Sequence, residues 1–199
     1  MKKYKHLVFD LGGVLIELGK MPVAEALFQS RNSLTLKEWF SLPVAHEFER
    51  GNLNAEQFAK SFIDDFNLKI SKTEFIDLFK KWPKRVFPGA KEMLKYLGQD
   101  YTLSVLSNCN EIHCPLLKYE FKILNYFKNS FLSHLIGKTK PDVAIFYHVL
   151  RELKTAPSDI LFLDDNQENI DSANSIGMTA IQVNGIDEVK KQLTALSIL

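Results

Sequence analysis

The sequence predicts an α/β fold: a Rossmann-like parallel sheet carrying a small inserted helical cap. Three observations predict it. Five short β-rich runs, 6–11, 101–107, 130–135, 160–164 and 179–183, are spread along the 199 residues. Several are apolar continuously rather than alternately, as strands buried on both faces should be. Helical patterns at 89–97, 116–125, 143–153, 168–176 and 187–196 separate or follow the later runs, and strand alternating with helix is the mark of a parallel sheet with helices on both faces.

The first run, His6–Leu11, reads as a buried strand. The segment from about 18 to 85 then breaks the rhythm. It holds no convincing strand and reads as helices at 23–29, 36–40, 55–66 and 73–82. Leu34-Thr35-Leu36-Lys37-Glu38 looks like a helix start, and Asn54-Ala55-Glu56-Gln57 is close to a capping box. Phe58, Phe62 and Phe66 recur at helical spacing, which is the pattern of packing. The expected organisation is a core of residues 1–17 and 86–199 with a helical cap over 18–85. Gly98, Gly137 and Gly177 fall near helix ends, where a residue free to take positive φ is useful.

Hydrophobic residues are 46% and charged residues 25% of the chain, so it has the material for a real core and is neither a disordered nor a collagen-like sequence. The 25 basic and 24 acidic side chains leave a formal charge of +1, which argues against a nucleic-acid partner. Cys109 and Cys114 are the two cysteines, too few for a disulfide framework and without the further ligands of a zinc site. The basic start is followed by a run that Asp10 interrupts, unlike a signal peptide. No stretch reaches the ~18 apolar residues of a membrane span. A cytoplasmic protein without a membrane partner is expected.

Candidate chemistry lies at the strand ends. Asp10 follows the first run in Phe9-Asp10-Leu11-Gly12-Gly13-Val14, at the sheet edge where open α/β sheets bind ligands. By itself it could equally cap a turn. Ser107-Asn108 closes the second run and is also good turn chemistry. Lys140-Pro141 precedes a helix, with Pro141 suited to its first turn and the lysine, taken alone, suited to solvent. Asp164-Asp165-Asn166 ends the fourth run. Adjacent carboxylates repel unless a cation or a proton lies between them, which points to a hard divalent cation.

Together, and in this order, Asp10, Ser107, Lys140 and Asp164-Asp165 resemble the four motifs of the haloacid dehalogenase-like hydrolase superfamily. The resemblance covers essentially the whole chain, helical insertion included. Phe48-Glu49-Arg50-Gly51-Asn52-Leu53, Lys140-Pro141-Asp142 and Asp164-Asp165-Asn166-Gln167-Glu168-Asn169-Ile170 are most similar to a bacterial branch that includes α-D-glucose-1-phosphate phosphatase. The resemblance implies a parallel sheet of order 5-4-1-2-3 under a mobile cap. It implies that Asp10 attacks phosphorus to give an aspartyl-phosphate, with Mg²⁺ held by Asp10, Asp165 and the Gly12 carbonyl. Asp164 would support the metal site or the lysine from behind. Lys140 would balance the carboxylates, and Ser107 with the Asn108 N–H would bind phosphoryl oxygens.

One position departs from the family pattern. Most phosphatases of the superfamily carry a second Asp two residues after the nucleophile, as general acid and base; here that residue is Gly12. Such help is worth about 10²–10⁴-fold. A sugar 1-phosphate needs less of it, and His46, Glu47 or Glu49 of the cap could supply it, although each could equally be an ordinary surface charge. Glu49 is expected to contribute to substrate binding, with Phe40 and Phe48 as apolar walls. The expected partner is a small phosphorylated metabolite, a sugar phosphate first among them, and the expected state a monomer or homodimer. Two other readings stay open. One is a non-catalytic or very slow phosphoryl-ligand-binding regulatory protein. The other is a metal-independent haloacid dehalogenase, against which the Asp164-Asp165 pair argues.

Overall fold

The computed structural model describes residues 3–20 and 42–199. The helices expected at 23–29 and 36–40, the helix start at 34–38 and the proposed wall residue Phe40 lie outside the described residues.

A five-stranded parallel sheet forms the centre. Its strands are β1 (His6–Phe9), β4 (Thr102–Ser107), β5 (Asn129–Leu132), β6 (Ile160–Asp164) and β7 (Thr179–Gln182), ordered β5-β4-β1-β6-β7. Numbered among themselves and read from the other edge, this is the expected 5-4-1-2-3. The strands bury both faces. Leu7, Phe9, Leu103, Val105, Leu161 and Leu163 pack with α4 (Ala90–Leu97) and α8 (Gly185–Ala195). Val8, Leu106, Ile160 and Phe162 pack on the other side with α6 (Val143–Leu153) and α7 (Gln167–Ser175). That two-sided burial is why the runs are continuously apolar.

Register sets the site. Phe9 lies opposite Val105 on one side and Leu163 on the other. The Asp10 N–H donates to the Leu163 carbonyl at 2.9 Å. The strand ends carrying Asp10, Ser107 and Asp164 therefore finish side by side. β1 stops at Phe9 because the Leu11 carbonyl accepts from Val14, Leu15 and Ile16 in a tight turn.

The helical segment has a core of its own. Its described helices are α1 (Pro43–Glu49), α2 (Ala55–Asp65) and α3 (Lys72–Phe79). Asn54 caps α2 in a full capping box with Gln57. Phe58 and Phe62 are completely buried, and Phe66 packs beside them. Phe48 stacks on Phe58 with ring centroids 4.1 Å apart, so it belongs to this core and is not among the residues lining the cavity. Ile112, from the loop after β4, inserts into the same cluster.

Several expectations are corrected. The stretch 18–85 does contain a strand: β3 (Pro83–Val86) pairs antiparallel with β2 (Ile16–Leu18). Pro83 disfavours helix at the residue before it, and α3 accordingly ends at Phe79 rather than at 82. The 116–125 helix is replaced by a wide turn at Leu116–Glu120 and a tight one at Ile123–Tyr126, broken where Lys122 takes φ +54°. The run 130–135 leaves the sheet at Leu132, where Ser133 opens the short α5 (Ser133–Ile136). Pro141 precedes the helix instead of opening it; Asp142 is the cap of α6 and accepts from the Ala144 N–H. Gly137 and Gly177 take positive φ, whereas Gly98 does not. No described helix is long and apolar enough to cross a membrane.

Candidate active site

The carboxyl ends of β1, β4 and β6 line a cavity of about 800 Å³. Its walls include Asp10, Gly12, Ser107, Asn108, Lys140 and Asp165, the predicted residues that sequence order holds far apart. Lys140 is the hub. Its buried Nζ lies 2.8 Å from Asp10 Oδ1 and 2.5 Å from Asp164 Oδ2. It also donates to the Leu106 carbonyl at 3.0 Å, so all three ammonium protons are spent. Burial acts to lower its pKa, but the charges of Asp10 and Asp164 outweigh that and hold it above the usual lysine value.

The two adjacent aspartates have different tasks. Asp164 is fully buried, and its Oδ1 accepts from the Asn166 N–H and from Asn169 Nδ2. With Oδ2 on Lys140, it is occupied as a brace. Asp165 instead faces the cavity. Burial, then the charges of Asp10 and Asp164, push its carboxyl up to about 7. Asp10 is raised by burial as well, with Lys140 opposing and Asp164 adding to the effect.

Carboxylate oxygens of Asp10, Asp164 and Asp165 lie within 4.8 Å of one another. Three carboxylates against one fully used ammonium leave a surplus of negative charge in a buried place. The donor set is oxygen only, which suits a hard divalent cation such as Mg²⁺. Gly13 makes the approach of Asp165 possible. It has φ +69°, and a Cβ there would stand 2.1 Å from Asp165 Oδ2.

Ser107 is buried at the end of β4, with its hydroxyl donating to the Asn108 carbonyl at 3.4 Å. The Asn108 side chain has a task beyond the expected backbone contact. Its Nδ2 donates to the Lys140 carbonyl at 3.0 Å, and its Oδ1 accepts from the Lys140 N–H at 2.9 Å. The end of β4 and the lysine loop are thereby joined in both directions.

The helical segment reaches this pole through α1. The Ser133 hydroxyl donates to the Glu49 carbonyl at 2.6 Å, and Arg50 Nε donates to Thr139 Oγ1 at 3.4 Å. Glu49 is buried and lines the cavity, as does His46; Glu47 does not, and pairs with Asn52 instead. Sequence reasoning missed a second connection. His113 Nε2 donates to the Phe79 carbonyl at 2.8 Å, and Asn110 Nδ2 donates to His113 Nδ1 at 3.2 Å. Burial lowers its pKa to about 4, so the ring is neutral. Trp82 forms part of the same wall, its indole N–H on the Gly19 carbonyl at 3.1 Å. The polar residues closely following Asn108 were the available signal for the first pair.

An open α/β sheet with a carboxylate, a lysine and a second carboxylate at its carboxyl edge defines a class of hydrolase site. The haloacid dehalogenase-like hydrolase family matches residues 7–183, and the chain belongs to that family. It is 26% identical over 205 residues to a D-ribitol-5-phosphate phosphatase of Bacteroides thetaiotaomicron, covering 96% of this chain and 98% of that protein. It is 27% identical over 194 residues to a drimenol cyclase of Aspergillus calidoustus, where the match takes 96% of this chain and only 36% of the longer protein. A crystal structure of a HAD family enzyme from Bacteroides thetaiotaomicron, in complex with magnesium and inorganic phosphate, superposes with a TM-score of 0.76 at 25% identity. That match covers 90% of this chain and 93% of the other.

Proposed function

We propose that the protein is a Mg²⁺-dependent phosphatase that hydrolyses a small phosphorylated metabolite through an aspartyl-phosphate on Asp10. The observation that carries this reading is the Lys140 ammonium set between Asp10 and the braced Asp164, with Asp165 alongside. A lone buried carboxylate would be protonated and inert as a nucleophile. Lys140 opposes that protonation at Asp10 by its charge and occupies Oδ1, which leaves the other oxygen for the phosphorus. Ser107 Oγ and the Asn108 N–H bind phosphoryl oxygens as charge spreads over them. Asp10, Asp165 and the Gly12 carbonyl are the groups that would hold Mg²⁺. When bound, the cation neutralises charge between the nucleophile and the phosphoryl group.

In this reading residues 1–17 and 86–199 form the core, and 18–85 form the cap that shuts water from the site. The sugar-phosphate expectation is supported by the relative named D-ribitol-5-phosphate phosphatase and by a cavity wall that includes buried Glu49 as well as apolar Trp82 and Leu18. A cavity lined by a carboxylate and apolar surface suits a polyol or sugar leaving group. α-D-Glucose 1-phosphate is a member of that class with an acidic leaving hydroxyl, and the protein acts as a monomer or homodimer in the cytoplasm.

The test is acid-quench trapping of the phosphoenzyme together with release of phosphate from a chromogenic ester and a panel of sugar and polyol phosphates. Activity is expected with Mg²⁺, to be lost in EDTA and to vanish in Asp10→Asn. Asp10-dependent turnover of a 2-haloacid in EDTA would instead establish the dehalogenase reading. Retention of phosphate binding without any turnover would establish a phosphoryl-ligand binder.

A further inference from the structure

The phosphatase reading leaves one chemical step without a carrier. When the P–O bond to the leaving group breaks, its electron pair stays on the leaving oxygen, and a sugar or polyol alkoxide needs a proton. The residue two after the nucleophile is Gly12, and the space a side chain would take there is filled by Leu18, whose Cδ1 would lie 3.1 Å from an added Cβ. The donor must therefore come from elsewhere around the cavity.

The described groups of the cavity wall narrow the choice. Lys140 has all its protons committed to Asp10, Asp164 and Leu106. His113 has both ring nitrogens engaged, by Phe79 and Asn110. The Trp82 N–H is held by Gly19, and an indole does not give up a proton. Glu168 stands exposed at the core rim. Asp165 is one of the groups that would hold the cation, and Glu49 shares the wall with His46; His46 differs from all of these in being an imidazole on that wall with one ring nitrogen unengaged. It lines the cavity from α1, and its Nδ1 is buried with no hydrogen-bond partner among the described residues. A buried ring nitrogen without a partner is costly.

The placement of α1 adds a second argument. The carboxyl end of the helix is fastened over the phosphoryl pole through Glu49 to Ser133 and Arg50 to Thr139. His46 is three residues before Glu49 and so lies on the same helix face. Gly51, which follows, allows a close approach: a Cβ there would meet the His134 carbonyl. The end of the helix is thus held against Thr139 and the start of α5.

We propose that His46 is the proton donor to the leaving oxygen, replacing the acid that Gly12 cannot provide. It rests on the phosphatase reading above. Asp10 forms a bond to phosphorus, the bond to the leaving oxygen breaks, and the imidazolium of His46 gives its proton to that oxygen. The neutral imidazole then takes a proton from the attacking water as the water oxygen bonds to phosphorus and the bond from phosphorus to the Asp10 oxygen breaks, releasing inorganic phosphate and restoring both the carboxylate and the imidazolium.

The experiment compares leaving groups in single turnovers with excess enzyme and Mg²⁺, reading formation of the phosphoenzyme. p-Nitrophenyl phosphate has an acidic leaving group that needs little protonation, whereas D-ribitol 5-phosphate leaves as an alkoxide. His46→Gln is expected to slow phosphorylation by the ribitol ester about 10²-fold more than phosphorylation by the aryl ester. His46→Asn, a second truncation of the ring, should show the same ratio. Equal losses on the two esters in both variants would overturn the proposal, as would a leaving-group-dependent loss in Glu49→Gln but not in the His46 variants. A wild-type enzyme that is phosphorylated by the aryl ester alone would overturn the proposal and leave the phosphatase reading standing. A wild-type enzyme phosphorylated by neither would overturn both.

Discussion

Lys140 and Asp164 form a fully buried ion pair, 2.5 Å between Nζ and Oδ2, and that pair holds up the carboxylate of Asp10. Removing one member of such a pair leaves an uncompensated buried charge, which costs about 3–5 kcal/mol. Lys140→Met is therefore expected to lower unfolding free energy by about that amount in urea titration without metal. Adding Asp164→Asn to Lys140→Met should recover part of the loss, because the stranded charge is removed with it.

The Gly13 backbone predicts a metal-binding defect separable from simple strain. Gly13→Ala places a methyl group on Asp165 and forces a side chain into φ +69°. Gly137 has the same φ of +69° with nothing within 4 Å of a Cβ, so Gly137→Ala carries the conformational strain alone. Mg²⁺ titration calorimetry should show affinity at least about tenfold weaker in Gly13→Ala and little altered in Gly137→Ala.

His113 predicts a pH dependence of stability. Its folded pKa of about 4 lies below the ordinary imidazole value of 6.5. Between those values the unfolded chain binds a proton that the native chain does not, so stability rises with pH. The contribution is intact above about pH 6.5 and is lost at roughly 1.4 kcal/mol per pH unit as pH falls toward 4. Urea midpoints measured from pH 7 to 5 should fall more steeply for the wild type than for His113→Gln.

Phe58 is the centre of the helical segment's core, stacked on Phe48 and in edge contact with Phe62 and Phe75. Phe58→Ala should destabilise that segment by about 3–5 kcal/mol. Hydrogen exchange is expected to show lost protection in α1–α3 before any loss in the central sheet.

The sheet was legible because its strands are buried on both faces and read as unbroken apolar runs, and Asp10, Ser107, Lys140 and Asp165 were legible because they end those runs or the loops beside them. What escaped depends on distant contacts. β3 is four residues beginning with Pro83, and only its pairing with Ile16–Leu18 makes it a strand. Helix α1 has seven residues; Pro43 at its start was the available sign. The break at Lys122 uses positive φ without a glycine, so nothing in the residue type announced it. Asn108 was read only through its backbone N–H, and Asn110 and His113 carried no reading; the side-chain partners of Asn108 and His113, Lys140 and Phe79, lie more than thirty positions away. By residue type Asp164 and Asp165 are alike, and the resemblance alone assigned them different roles; burial gives the physical reason, with Asp164 enclosed as the brace and Asp165 facing the cavity.

The pairing of β2 with β3 brings the two ends of the intervening helical segment out of the sheet domain as neighbours. A stretch of chain that leaves and returns through one doorway can be lengthened, shortened or exchanged by grafting without rerouting a single strand beneath it. On the phosphatase reading proposed above, the same floor is in that way open to refitting for a different metabolite by exchange of that stretch alone.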